Sequence, residues 1–230
     1  MKNLALVFST FLVHDADEKF NNDRQNDYAT CYLQMLRVIP KDFDVLFVDN
    51  SLKSVDQITS LRLRQALEGQ KILLTQQNFG LRNKGVGELV MLIQAASAIN
   101  LSEYNTVCYC TGRKIFTCPY PFEKATQTEM QATVSNPDFQ FLDGTYREVA
   151  KGMYNDMFFA MKSETMIKFI NYTAPRLQDM EQYMINSETN LHNFLSESHT
   201  TIQHLDVLGI IRNELKIKDP YYSFENYHVC

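Results

Sequence analysis

Four short runs that favour extended backbone, at residues 4–9, 45–48, 72–75 and 106–110, alternate with longer stretches of helical periodicity. Within the second, Val45-Leu46-Phe47-Val48 is apolar without a break. A strand with one wet face alternates in polarity, so an unbroken run needs cover on both faces, as in a parallel sheet with helices above and below. The intervening segments supply such helices. Tyr28, Tyr32, Met35, Leu36 and Ile39 form one apolar stripe that stops at Pro40. Val55, Ile58, Leu61 and Gln65 continue the scheme as a more polar second helix with Ser54 as N-cap. A third helix, 87–98, puts Leu89, Val90 and Ile93 on one side. Strand, helix and strand in this order predict right-handed βαβ units and a mostly parallel central sheet, an α/β Rossmann-like domain.

The second half is less regular. Pro119 and Pro121 bracket a turn, 138–142 alternates like an edge strand, and Asp143-Gly144 signals another turn. A buried strand is predicted over 156–161, followed by a helix capped by Ser163. Pro175 opens a helix carrying Leu177, Met180 and Met184. Another helix spans 188–197, and 201–207 reads as a late strand. No repeat or low-complexity linker interrupts the 230 residues, a length that suits one domain.

Hydrophobic residues at 45% and charged residues at 21% describe an ordinary globular chain. With 22 basic and 27 acidic residues the net charge is -5, which gives no general attraction to nucleic acid or to an anionic membrane. Five cysteines without CxxC spacing suggest neither a disulfide framework nor a zinc site, and Cys108 and Cys110 read as core. The apolar stretch at 4–13 runs directly into His14-Asp15 without a small-residue cleavage site, so it reads as a first strand rather than a secretory signal. No apolar stretch reaches 18 residues, so no membrane-spanning helix is expected, and the cysteine pattern suggests a reduced, cytoplasmic setting.

In open α/β sheets ligands bind beyond the carboxyl ends of the strands. The residues there are Ser9 and Thr10, then Asp49-Asn50-Ser51, then the loop from Asn78 through Gly80 to Lys84 and Gly87, then Thr111-Gly112-Arg113-Lys114. Asp49 suits accepting hydrogen bonds from a ribose or a base, or equally an Asx turn. The glycine-containing loop leads into a helix N-terminus that favours an anion, and it is neither a Walker A nor a GxGxxG sequence. Arg113 is the stronger phosphate candidate, because its guanidinium is permanently charged and grips oxygens in pairs. Carboxylates suited to general-base work are Glu188, Glu181 and Asp156, with Glu188 first because its spacing to Leu191 and Leu195 turns it inward. His204 and Asp206 share a strand face and read as edge polarity rather than a metal site.

The order of these motifs resembles glycosyltransferases of the GT-A fold, in particular small bacterial-type enzymes of surface-polysaccharide synthesis. The resemblance covers most of the chain. It implies a single GT-A-like domain over 1–230, with a nucleotide-binding half at 1–114 and an acceptor-side half at 115–230. Ser9, Thr10, Asp49, Asn50, Asn78, Gly80, Lys84, Thr111, Gly112 and Arg113 would then bind a nucleotide-diphosphate sugar. The acceptor would be a saccharide or a lipid-linked acceptor, met at the inner membrane face through partners. The family usually holds a divalent metal on an Asp-x-Asp motif, where this chain has Thr111-Gly112-Arg113. That departure resembles a Gly-Arg variant in which a cation replaces the metal charge, so metal-independent transfer is favoured over manganese or magnesium. It also fits a non-catalytic nucleotide-sugar-binding or scaffold protein of the same fold. A sugar nucleotidyltransferase fits less well, since no glycine-rich Thr-Arg-x-x-Pro loop follows the first strand.

Overall fold

The computed structural model describes residues 2–75, 81–135, 154–205 and 210–212. In chain order the elements begin with β1 (Lys2–Ser9), α1 (Glu18–Val38), β2 (Phe43–Asp49), α2 (Leu61–Leu67), β3 (Lys71–Leu74), α3 (Lys84–Ala98) and β4 (Tyr104–Thr111). They continue with β5 (Lys114–Phe116), α4 (Tyr120–Gln127), β6 (Ala132–Ser135), β7 (Asn155–Lys162), α5 (Ser163–Thr173), α6 (Leu177–Tyr183), α7 (Ser187–Glu197), β8 (Ile202–Leu205) and β9 (Ile210–Arg212).

Seven strands form one sheet in the order β3-β2-β1-β4-β7-β6-β8, and β5 pairs with β9 apart from it. The pairs β1–β2, β1–β4, β2–β3 and β6–β8 are parallel, while β7 runs antiparallel to both β4 and β6. The mostly parallel sheet flanked by helices is the architecture that the unbroken apolar runs predicted. Its two faces carry separate cores, and residues alternate between them along each strand. On β1, Ala5 and Val7 join Cys108, Cys110, Tyr28, Tyr32 and Phe122 on one face. Leu4, Leu6 and Phe8 join Tyr109, Phe159, Leu89, Phe169 and Phe194 on the other. Burial pushes the Cys108 and Cys110 thiols up, as suits core residues, and Cys31, Cys108 and Cys110 are free. Cys118 is disulfide-bonded, which the cysteine spacing did not suggest.

Several expectations are corrected. The second helix is broken in two: a capping box of Ser54 and Gln57 closes a single 3-10 turn at Val55–Gln57, and Ser60 caps α2 afresh. The break follows from Gln25 of α1, whose side-chain oxygen accepts from the amides of Thr59 and Ser60 at 2.8 and 3.0 Å and holds them extended. Val55 and Leu61 are consequently exposed. Pro119 and Pro121 do not bracket a turn but stand at the start of α4, where a missing amide costs nothing. Ser163 is the first residue of α5 rather than its cap, and its hydroxyl donates to the Tyr104 carbonyl at 2.6 Å. Met184 lies just past α6 in the left-handed region, at φ 55°. The expected strand at 138–142, the turn at Asp143-Gly144 and the end of the late strand from Asp206 lie outside the described residues.

The carboxyl ends of β1 and β2 are tied together by Asp49, which is fully buried. One carboxylate oxygen accepts from the Ser51 amide at 2.8 Å, the Ser51 hydroxyl at 2.7 Å and the Leu52 amide at 2.9 Å. The other accepts from the Phe11 amide at 2.9 Å, fixing the chain as it leaves β1. Burial nevertheless raises its pKa above the usual 3.8, against the pull of these donors. Asp49→Asn would replace the second oxygen by a donor facing the Phe11 amide, so urea denaturation should show a loss of about 1–3 kcal/mol. A raised folded-state pKa means the carboxyl contributes most below 3.8 and less as pH climbs through the folded value. The gap between wild type and variant should therefore narrow in that direction.

Candidate functional site

At the carboxyl ends of β1 and β4 the sheet opens onto a cavity of about 530 Å³. That is within the usual ligand-site range of roughly 300–1,000 Å³. Its floor is the seam between the two strands. The Gly112 amide donates to the Phe8 carbonyl at 2.8 Å. A Cβ on Gly112 would stand 2.6 Å from that oxygen and 2.9 Å from Cε1 of Tyr28, so no side chain fits there. Thr111, beside it, donates its hydroxyl to the Met157 carbonyl at 3.3 Å and closes the wall toward β7.

One wall comes from α1, which Asp17 caps eleven residues before the apolar stripe begins. Arg24 and Tyr28 both line the cavity. The Arg24 guanidinium donates through Nε to the Thr10 carbonyl and lies 5.6 Å from the Tyr28 ring centre. The Tyr28 hydroxyl accepts from the Thr10 amide at 3.0 Å. Arg113 reaches the same helix: burial raises the pKa values of the Asp27 carboxyl and the Tyr28 phenol, and the charges of Arg113 and Arg24 oppose both shifts.

The opposite wall is made where two helices begin. Asn83 caps α3 by accepting from the Gly85 amide, and Asn186 caps α7 by accepting from the Thr189 amide. The two starts touch, since a Cβ on Gly85 would stand 2.8 Å from the Ser187 nitrogen. Each N-terminus carries roughly half a positive charge, and bringing two together doubles the pull on an anion. Lys84 and Glu88 stand on α3, Glu188 on α7, and Glu188 is half-buried. Among the described lining residues are four cations, Arg24, Lys84, Arg113 and Lys114, and two carboxylates, Glu88 and Glu188. The surplus is cationic although the chain as a whole is acidic.

Of the residues singled out in the sequence, Ser9, Thr10, Lys84, Thr111, Gly112, Arg113 and Glu188 line this cavity. Ser9 donates its hydroxyl to the Val48 carbonyl at 2.9 Å. Others stand behind the wall. Asp49 is occupied by its four hydrogen bonds, and Asn50 accepts from the Thr10 hydroxyl at 2.8 Å. Glu181 accepts from the Arg82 and Asn83 amides at 2.8 and 3.0 Å, so it lashes the entry to α3 onto α6 rather than facing the cavity. Asn78 and Gly80 lie outside the described residues, and Asp156 is placed in β7 with its side chain outside them. Arg24, Glu88 and Ser187 were not foreseen. The face carrying Glu88 was visible as Lys84, Glu88 and Met91 at i, i+4 and i+7, but the polar side of a helix usually faces water. No helix among the described residues is long and apolar enough to cross a membrane.

Gly112→Ala should destabilise the domain by about 1–3 kcal/mol in thermal or urea melts, the scale of forced overpacking. The clash is with backbone oxygen rather than a movable side chain. An unchanged melt would mean that the seam between β1 and β4 yields.

No family model matches the chain, and no curated protein matches it in sequence. Solved structures do match in fold. A protein described as a nucleotide-diphospho-sugar transferase, from Desulfovibrio desulfuricans G20, superposes with a TM-score of 0.56 at 12% identity. That match covers 89% of this chain and 80% of the other. A 4-diphosphocytidyl-2C-methyl-D-erythritol synthase from Anaerococcus prevotii DSM 20548 aligns at 12% identity over 88% of this chain and 86% of its own, with a TM-score of 0.45. The fold is therefore like that of nucleotide-sugar transferases, as the GT-A resemblance implied, and at this identity the likeness concerns the fold alone.

Proposed function

We propose that the protein is a glycosyltransferase that takes a sugar from a nucleotide-diphosphate sugar and passes it to a saccharide or lipid-linked acceptor in surface-polysaccharide synthesis. The observation that carries this reading is the cationic cavity at the ends of β1 and β4, with Gly112-Arg113 at its centre and two helix N-termini at its side. The fold supports it, since open α/β sheets place their ligands at this edge.

Breaking the bond between sugar and diphosphate leaves negative charge on the departing phosphate. Fixed cations already aimed at that position stabilise the charge without reorganising. Arg113 takes this role, with Lys84 and the starts of α3 and α7 beside it, so the reaction runs without a divalent ion. Glu188, half-buried on the wall opposite α1, accepts the proton of the attacking hydroxyl. Thr111 and Gly112 shape the wall against the sugar, and Thr10 with Arg24 borders the nucleotide side.

Calorimetric titration with UDP-, GDP-, dTDP- and ADP-linked sugars, each with and without EDTA, tests the reading. At least one should bind, with an affinity that EDTA leaves unchanged, and hydrolysis or transfer should follow in a coupled nucleotide-release assay. Binding of none would overturn the proposal, while tight binding with no turnover on any acceptor would favour a non-catalytic nucleotide-sugar-binding protein. Arg113→Ala should weaken the same affinity by about 1.5–3 kcal/mol, the range for a hydrogen bond to a charged group, and leave the melting temperature unchanged.

A further inference from the structure

We propose that Glu88 is the group that recognises the hydroxyls of the transferred sugar, held in place for that purpose by Tyr109. The inference rests on the reading of the cavity as a nucleotide-sugar site and deepens it.

Along α3 the residues facing the cavity change character in regular steps. Lys84, Glu88 and Met91 all line it, spaced i, i+4 and i+7 on one helical face. From the helix start inward the face presents a cation, then a carboxylate, then a thioether. Met157 of β7 adds a second thioether to the lining. A diphosphate belongs at the cationic end, and a carboxylate would repel it there. One helical turn inward, a carboxylate beside apolar thioether surface suits a pyranose, whose C–H face is apolar and whose hydroxyls donate hydrogen bonds.

Glu88 is unusually well fixed for a glutamate. Its side chain is only 16% exposed. One oxygen lies 3.4 Å from the Lys84 ammonium, and the other accepts from the Tyr109 hydroxyl at 3.2 Å. Lys84 is a loose partner at 82% exposure, whereas Tyr109 is not. Its ring is stacked between Phe8 and Phe159, both at 4.6 Å between centres, so three adjacent strands clamp one aromatic layer. The hydroxyl at the end of that layer cannot wander, and it holds the carboxylate toward the cavity. A flexible side chain fixed beforehand loses less entropy when a ligand binds. On this view Glu88 touches the sugar and Tyr109 is a positioning residue that acts through it.

The test compares each nucleoside diphosphate with its own sugar conjugate: UDP against UDP-glucose and UDP-N-acetylglucosamine, GDP against GDP-mannose, dTDP against dTDP-glucose. In wild type the preferred conjugate should bind more tightly than the bare diphosphate. Glu88→Gln should reduce that preference by about ten- to hundredfold while binding the diphosphate as well as before or better. Tyr109→Phe keeps the aromatic layer and should reduce the preference about three- to tenfold. A series of monodeoxy sugar conjugates gives the readout that a merely structural role would not move. One deoxy position should weaken binding to wild type and make no difference to Glu88→Gln, which is the mark of direct coupling. If wild type binds neither diphosphates nor conjugates, the donor reading itself fails. Should wild type prefer a conjugate and both variants keep that preference in full, only the assignment of Glu88 falls. An equal loss of diphosphate and conjugate binding overturns it as well, since Glu88 would then serve the shape of the cavity rather than the sugar.

Discussion

Everything at the carboxyl edge of the sheet depends on how closely β1 and β4 approach as they end. The Gly112 amide meets the Phe8 carbonyl at 2.8 Å in a position where a Cβ would collide with the same oxygen. The strand pairing ends at Phe8 and Thr111, and the close approach of Gly112 just beyond it leaves no room for a side chain where the chain turns. Arg113 leaves that turn over the floor of the cavity, and Thr111 closes the side toward β7. A second close approach, Gly85 against Ser187, sets the opposite wall in the same manner. Two glycines thus determine the spacing between a cationic strand end and a pair of helix starts.

The electrostatic character of the cavity follows from that spacing. Among the described residues, four cations and two helix N-termini converge on one volume, and two carboxylates interrupt them. Each helix start is worth about 0.3–1 kcal/mol toward an anion at the surface and more when partly buried, whereas a charge-assisted hydrogen bond from arginine contributes about 1.5–3 kcal/mol. For an anion placed there, the guanidiniums and ammoniums would therefore outweigh the helix starts. The carboxylates lie on the helical faces behind those starts, so sign changes across the cavity instead of being uniform. A ligand with one charged and one hydroxylated end matches that gradient.

Much of the architecture was legible before any coordinates. Strands covered on both faces cannot alternate in polarity, so Val45-Leu46-Phe47-Val48 and its counterparts announced a sheet between helical layers, and β1 to β4 fall where those runs stand. The second half was harder to read, because β6 is only four residues long and the antiparallel return of β7 has no signal in its own sequence. The split of the second helix was invisible for another reason: the side chain that breaks it, Gln25, is more than thirty residues away.

Sequence alone determined the elements whose energetics are local or periodic: the buried strands, the amphipathic helices, and the polar residues that follow each strand. It also placed Thr111-Gly112-Arg113 at a strand end, because a glycine and a cation after an apolar run admit few other readings. Only the tertiary structure decided which of those polar residues face a common space. Asp49 and Glu181 were candidates for different roles, a nucleotide contact and a general base, yet the carboxylate of each is engaged by backbone amides. Arg24 and Glu88 looked like ordinary solvated charges and turn out to line the cavity. The physical reason is that a side chain's role depends on which unpaired groups surround it, and those come from segments distant in sequence whose approach is set by packing.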